Sequence, residues 1–186
     1  MIKRTCFRYR KPFPIDALFI AVSDPQVHFG NFQYAVDFLL EPDVPVIAAN
    51  DGTVVDVKDD SSEGGLEEKY KDIKYQNYIT IRHNRGEFSQ YVHIAQNSAF
   101  VKVGDKVLQG DIIADGIGMV GYTGAPHLHF MVFNEADNED GFESLKIRWH
   151  RFRPVISHGK GLYQLLEKPK YKRLVEAIIN ANPLYL

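Results

Sequence analysis

The sequence is poor in cysteine, in long apolar runs and in net charge of either sign. Cys6 is the single cysteine among 186 residues, which excludes an intramolecular disulfide framework and cysteine-rich zinc modules. No apolar run approaches the roughly 20 residues that a transmembrane helix needs. The 22 basic and 24 acidic residues give a net charge of −2, which excludes nucleic-acid binding driven by net charge. Because Cys6 is the single cysteine, any metal ligands must be His, Asp or Glu.

The N-terminal region imitates a signal peptide only loosely. Basic residues within positions 3–11 precede an apolar run over residues 17–22, but two prolines and Asp16 interrupt the pattern. We therefore expect a basic N-terminal arm followed by a buried strand, without a clear signal peptide.

Most of the chain has the pattern of short strands separated by turn residues. Alternating or β-rich segments occur at residues 53–57, 78–82, 88–94, 101–114 and 127–133. Turn sequences such as Asp51-Gly52 and Asn84-Arg85-Gly86 separate them. The spacing predicts an all-β core, an antiparallel sandwich or barrel-like structure.

One segment has the pattern of an amphipathic helix. Residues 171–181 place Leu174, Val175, Ile178 and Ile179 on one stripe, and Asn182-Pro183 ends the pattern. We expect this C-terminal helix to pack on the core.

The predicted organisation is an N-terminal arm at 1–26, a core at 27–133, and an acidic loop, basic segment and helix at 134–186. The polar insertions at 58–74 and 134–146 are predicted to be solvated loops, with the shaping of a groove as the alternative.

The pair His127-Leu128-His129 is the first candidate for chemistry. Residues i and i+2 of a strand point to the same face, so the two imidazoles lie side by side. Two cationic rings there would repel each other, whereas a bound cation would hold at least one ring neutral as a ligand.

Three further residues strengthen this candidate. His28 lies near the turn-permissive Gly30, Asp37 lies in a nearly all-apolar run, and His93 has apolar neighbours. An aspartate in such a run is costly to bury unless it is paired or coordinates a metal. A catalytic zinc typically takes three protein ligands and leaves a fourth position open. Two imidazoles and one carboxylate meet that need, with two histidines left over.

The other histidines are assigned no role. We expect His83 to be an exposed turn residue, and His150 and His158 to belong to the basic segment.

Four motifs follow one another in a recognisable order. They are His28 with Tyr-Ala-Val-Asp-Phe at 34–38; Pro-Val-Ile-Ala-Ala-Asn-Asp-Gly-Thr-Val-Val at 45–55; Tyr-Val-His-Ile at 91–94; and residues 103–113 leading into Gly-Tyr-Thr-Gly-Ala-Pro-His-Leu-His-Phe at 121–130. Over residues 27–133 the sequence resembles the lysostaphin-type (LytM-type) zinc metalloendopeptidases, which cleave peptide cross-links in bacterial peptidoglycan. Nine positions separate His28 from Asp37, more than in many members of that family.

The resemblance implies a fold, a metal and a substrate. It implies a two-sheet β fold with a groove over one zinc ion, which His28, Asp37 and His129 would ligate. His93 and His127 would be the catalytic histidines, and the sequence does not decide which is the base. The substrate would be a cross-link or stem peptide of peptidoglycan, so an extracytoplasmic location is expected, by an export route that the sequence does not reveal. We expect a monomer without a nucleic-acid partner or a transmembrane segment.

Two alternatives remain open at this point. A non-catalytic LytM-like protein would bind wall peptides or activate a partner hydrolase; such proteins typically lose zinc ligands, whereas all five residues are present here. The pattern at 103–111 also resembles lipoyl, biotinyl and glucose-type phosphotransferase domains. A lipoyl or biotinyl domain needs a modifiable lysine at a hairpin tip, and none lies in a convincing context. A phosphotransferase would use two facing histidines without needing His28 or Asp37.

Overall fold

The computed structural model describes residues 2–14, 17 and 19–150. Within these ranges the strands are β1 (Arg4–Tyr9), β2 (Ile20–Val22), β3 (Val36–Leu39), β4 (Val46–Ile47), β5 (Gly52–Lys58), β6 (Gly64–Gly65), β7 (Tyr78–Arg82), β8 (Glu87–Val92), β9 (Lys106–Val107), β10 (Ile112–Ala114), β11 (Gly121–Tyr122), β12 (His127–Glu135), β13 (Phe142–Ser144) and β14 (Lys146–Trp149). Short 3-10 helices occur at Gly30–Phe32, Glu68–Lys71, Ile73–Tyr75 and Asn84–Gly86.

One large antiparallel sheet organises the fold. Its strand order is β2-β3-β12-β8-β7-β5-β9, and β13 pairs with the far end of β12. The predicted strand at 78–82 coincides with β7, and those at 53–57, 88–94 and 127–133 correspond to β5, β8 and β12 with small shifts at the ends. The prediction of an all-β core is therefore confirmed.

Alternation along β12 separates a core face from a second face of the sheet. Leu128, Phe130 and Val132 are fully buried and belong to the central hydrophobic cluster. Because side chains alternate along a strand, His127 and His129 must project from the opposite face. Burial of each large apolar side chain contributes about 1.5–3 kcal/mol, so the register that fixes this alternation is strongly favoured.

A second layer covers the core face. The antiparallel pair β4–β10 supplies Val46, Ile113 and Ala114 to the same hydrophobic cluster. The parallel pair β1–β14 supplies Tyr9 and Trp149. The large sheet and these shorter pairs together make the two-layered β architecture that the sequence analysis expected.

The first 26 residues contribute strands to this architecture. Strand β1 pairs with β14, and β2 pairs with β3 at one edge of the large sheet. The buried carboxylate of Glu87 accepts hydrogen bonds from the Tyr9 hydroxyl, at 2.9 Å, and from the backbone N–H of Cys6. Burial, together with the adjacent Glu87, raises the pKa of Tyr9. These contacts attach the N-terminal segment to the core, and the expected buried strand near residues 17–22 is present as β2.

The predicted helix at 171–181 and most of the predicted basic segment lie outside the described residues. Among the residues that the structure describes, no helix has the length and apolar character needed to cross a bilayer.

Candidate metal centre

Pairing between β3 and β12 brings Asp37 and His129 together. The two residues lie opposite each other in the antiparallel register, and Nδ1 of His129 is 2.9 Å from Oδ1 of Asp37. His28 precedes the 3-10 helix Gly30–Phe32, which takes up part of the long interval between His28 and Asp37. Nε2 of His28 lies 3.2 Å from the same Asp37 oxygen. Taking one donor atom from each of the three residues, all lie within 4.8 Å of one another.

This group fits a tetrahedral metal ion. Donors that each lie about 2.0–2.1 Å from a tetrahedral zinc ion are about 3.3 Å apart, close to the two distances around Asp37. His28 is 4% exposed, and neither of its ring nitrogens has a hydrogen-bond partner among the described residues. A buried polar atom without a partner costs roughly 1–3 kcal/mol, which coordination of a metal ion would offset.

The protonation states also suit metal binding. Burial acts to raise the pKa of Asp37, but electrostatic attraction by His127 and the close approach of the His129 and His28 rings outweigh it and lower that pKa well below its usual range. Burial lowers the pKa of His129, with Asp37 opposing the shift. An ionised carboxylate and neutral imidazoles are the forms that bind a divalent metal.

His127 and His93 lie beside this group. Nε2 of His127 is 3.7 Å from Oδ1 of Asp37. The ring centroids of His127 and His93 are 4.5 Å apart. His93 follows directly after β8 and is 6% exposed. Burial, reinforced by the neighbouring histidines, lowers its pKa to about 3, so the ring is neutral near pH 7. All five residues that the sequence analysis selected are thus gathered at one place.

Backbone carbonyls fix the tautomers of both rings. Nδ1 of His93 lies 2.7 Å from the carbonyl oxygen of Val120, and Nδ1 of His127 lies 2.9 Å from that of Ala125. Because a carbonyl can only accept, each Nδ1 must carry the proton. In the neutral form of either ring, the lone pair is then on Nε2. Sequence reasoning missed Val120 and Ala125 because their contribution comes from the backbone and leaves no signature in residue type.

His83 corrects one prediction. The sequence analysis expected an exposed turn residue, but His83 is 6% exposed, and its Nδ1 and Nε2 lie 2.7 Å from the Asp51 carbonyl and 2.8 Å from the Ser89 hydroxyl. The prediction was wrong because the alternation of Ile79 and Ile81 continues for one residue past β7. His83 therefore faces the core, on the opposite side of the sheet from His127 and His129.

We expect His83→Ala to lower the free energy of unfolding by about 1–3 kcal/mol, because the buried hydroxyl of Ser89 and the carbonyl of Asp51 both lose their imidazole partner. Urea unfolding measures this loss, with the exposed His150→Ala as the matched control. Zinc stoichiometry should stay at the wild-type value. A loss no larger than in the control would show that the His83 contacts do not stabilise the fold.

A β-sheet that gathers two histidines and an aspartate beside two further histidines is a site of the kind that metallopeptidases use. Residues 31–140 match the sequence model of Peptidase family M23, and the chain belongs to this family. The family assignment confirms the resemblance noted from the sequence motifs.

Curated relatives and a solved structure are similar to part of the chain. Glycyl-glycine endopeptidase ALE-1 of Staphylococcus capitis is 37% identical over 102 residues, which cover 54% of this chain and 24% of that protein. Lysostaphin of Staphylococcus simulans is 36% identical over 102 residues, which cover 54% of this chain and 18% of that protein. The chain thus spans about a quarter or less of these relatives. The catalytic domain of lysostaphin from Staphylococcus simulans aligns with a TM-score of 0.45 at 28% identity, covering 76% of this chain and 88% of that one.

Proposed function

We propose that this protein is a zinc-dependent endopeptidase that hydrolyses cross-links or stem peptides of bacterial peptidoglycan. The observation that carries the proposal is the convergence of His28, Asp37 and His129, whose donor atoms lie within 4.8 Å of one another. We assign these residues as the ligands of one zinc ion. The similarity to a protein named as a glycyl-glycine endopeptidase supports a peptide bond as the target. A peptidoglycan substrate would place the protein outside the cytoplasm.

The two remaining histidines supply proton transfer. A bound zinc ion supplies a Lewis acid that activates water near neutral pH and polarises the scissile carbonyl. The lone pair on Nε2 of His127 or His93 accepts the proton of the attacking water. The protonated ring then donates that proton to the leaving amine or a hydrogen bond to the developing oxyanion. The carbonyls of Val120 and Ala125 accept hydrogen bonds from Nδ1 of His93 and His127, which keeps each Nε2 directed away from the loop at residues 120–125.

Zinc removal and return test the proposal. We expect a strong chelator to abolish hydrolysis of purified peptidoglycan, and about one equivalent of zinc per chain to restore it. New amino termini, identified by mass spectrometry, report peptide cleavage and separate it from cleavage of the glycan. Digestion of glycine-bridged and directly cross-linked peptidoglycan in parallel identifies the bond.

Two outcomes would contradict the proposal. A protein that binds one zinc ion yet releases no amino termini from either peptidoglycan would favour the non-catalytic wall-binding alternative. Activity that survives complete removal of the metal would exclude the assigned ligands from catalysis.

A further inference from the structure

Residues 61–65 of the first polar insertion contact the loop that orients the two catalytic histidines. Strand β6 pairs in parallel with β11, so Gly64 lies beside Gly121. The N–H of Gly121 donates to the Glu63 carbonyl at 2.9 Å, and that of Thr123 donates to the Gly65 carbonyl at 3.1 Å. Strand β11 lies between Val120 and Ala125, whose carbonyls accept the Nδ1 protons of the histidines. The insertion therefore holds the backbone that sets both tautomers.

Gly64 makes the closest approach in this contact. A Cβ atom on Gly64 would lie 2.3 Å from the Met119 carbonyl oxygen, 2.7 Å from Cα of Val120 and 2.8 Å from the Gly121 carbonyl oxygen. All three atoms belong to the backbone, so no flexible side chain can move aside. A methyl group at this position must displace the loop that carries the Val120 carbonyl.

Asn77 connects the same segment to His93. Its fully buried side chain accepts from the Ser61 N–H at 3.0 Å, and it donates to the carbonyls of Ser61 at 2.9 Å and Ile94 at 3.2 Å. The Asn77 carbonyl also accepts from the N–H of His93 at 2.9 Å. Asn77 thus holds the chain on both sides of His93.

The hydrogen bonds of Asn77 matter because His93 has an unfavourable backbone conformation. Its φ is +67°, in the left-handed region that residues other than glycine seldom adopt. Such a conformation costs of order 1–3 kcal/mol and persists only when surrounding contacts enforce it. The contacts of Asn77 and the bond from Nδ1 of His93 to Val120 provide that enforcement.

We propose that residues 61–65 and Asn77, here called the buttress, position His93 and His127 for catalysis. The contacts that link these residues to His93 and His127 run through backbone groups, so we treat them as positioning residues. The proposal rests on the proposed function for its catalytic consequence. The orientation of the rings is a separate property that can be measured without a substrate.

Gly64→Ala tests the buttress, and Glu67→Ala, an exposed position of the same insertion outside the buttress, is its matched control. Because misplacement of a catalytic group by about 1 Å can cost about 100-fold in rate, we expect kcat to fall about 10- to 100-fold in Gly64→Ala. KM should change by less than about twofold, since substrate contacts remain. The zinc stoichiometry of Gly64→Ala should match the wild type, and Glu67→Ala should match it in both zinc content and activity.

Nitrogen NMR of the histidine side chains, at fixed pH and with zinc bound, gives the second readout. The wild type should show a proton on Nδ1 of His93 that exchanges slowly because it is bonded to Val120. In Gly64→Ala this resonance should shift and exchange faster. If Gly64→Ala does not fold, Asn77→Ser, which removes the contacts to Ser61 and Ile94 without adding an atom, is examined in the same way.

The outcomes separate the buttress from the proposed function. An unchanged His93 resonance, or loss of zinc together with activity, overturns the buttress proposal. A wild-type protein that cleaves no peptidoglycan overturns the proposed function, and the NMR comparison still decides whether the buttress orients His93. A moved resonance with retained zinc and a reduced kcat supports both.

Discussion

Replacement of Asp37 by alanine is expected to abolish zinc binding and hydrolysis together. Oδ1 of Asp37 lies 2.9 Å from Nδ1 of His129 and 3.2 Å from Nε2 of His28, so it is central to the three donors. It is also the anionic member of the group. Loss of a mere outer partner of a metal ligand costs about 10- to 100-fold in metal affinity, so loss of this ligand should cost at least about 100-fold.

Elemental analysis of protein purified without added zinc measures the effect. The wild type should contain about one zinc ion per chain, and Asp37→Ala should contain almost none even after zinc is offered. Asp43→Ala removes an exposed carboxylate shortly after β3 and should retain the metal. Stoichiometric zinc in Asp37→Ala would reject the assigned ligand set. A wild-type protein that binds no zinc would contradict the proposed metal centre and favour the non-catalytic alternative.

The alternation of side chains predicted much of the sheet and part of the candidate site. Strand β7 lies where its pattern placed it, and the shared face of His127 and His129 follows from the two-residue period of β12. Asp37 could be selected because a charged residue in an apolar run needs a partner, and the structure places His129 opposite it. These inferences depend on local sequence alone.

Pairing between distant segments could not be predicted in the same way. Strand β1 pairs with β14 although most of the chain lies between them, and alternation does not encode the identity of a partner strand. Asn77 was missed for a related reason. Its role depends on Ser61 and Ile94 meeting at one point, which local patterns do not reveal. The burial of His83 is encoded locally by the alternation of Ile79 and Ile81 before it, although a turn sequence follows it directly.

His127→Ala and His93→Ala are expected to lower kcat by about 100- to 10,000-fold while zinc remains bound, since general acid–base catalysis contributes rate enhancements of that size. Neither residue belongs to the group whose donor atoms converge within 4.8 Å. We expect the larger loss in His127→Ala. Nε2 of His127 is 3.7 Å from Oδ1 of Asp37, next to the proposed ligands. The centroid of the His93 ring lies 6.4 Å from the centroid of the His129 ring.

Single-turnover kinetics on a defined cross-linked peptide, with zinc content measured on the same samples, provides the comparison. The double variant adds a further test, because two residues that act in one proton-transfer step lose little more together than the worse single variant does. Additive losses would instead indicate separate roles, with one ring taking the proton and the other stabilising the oxyanion. A larger loss in His93→Ala would reverse the assignment of the base. Loss of zinc from either variant would move that histidine into the ligand set.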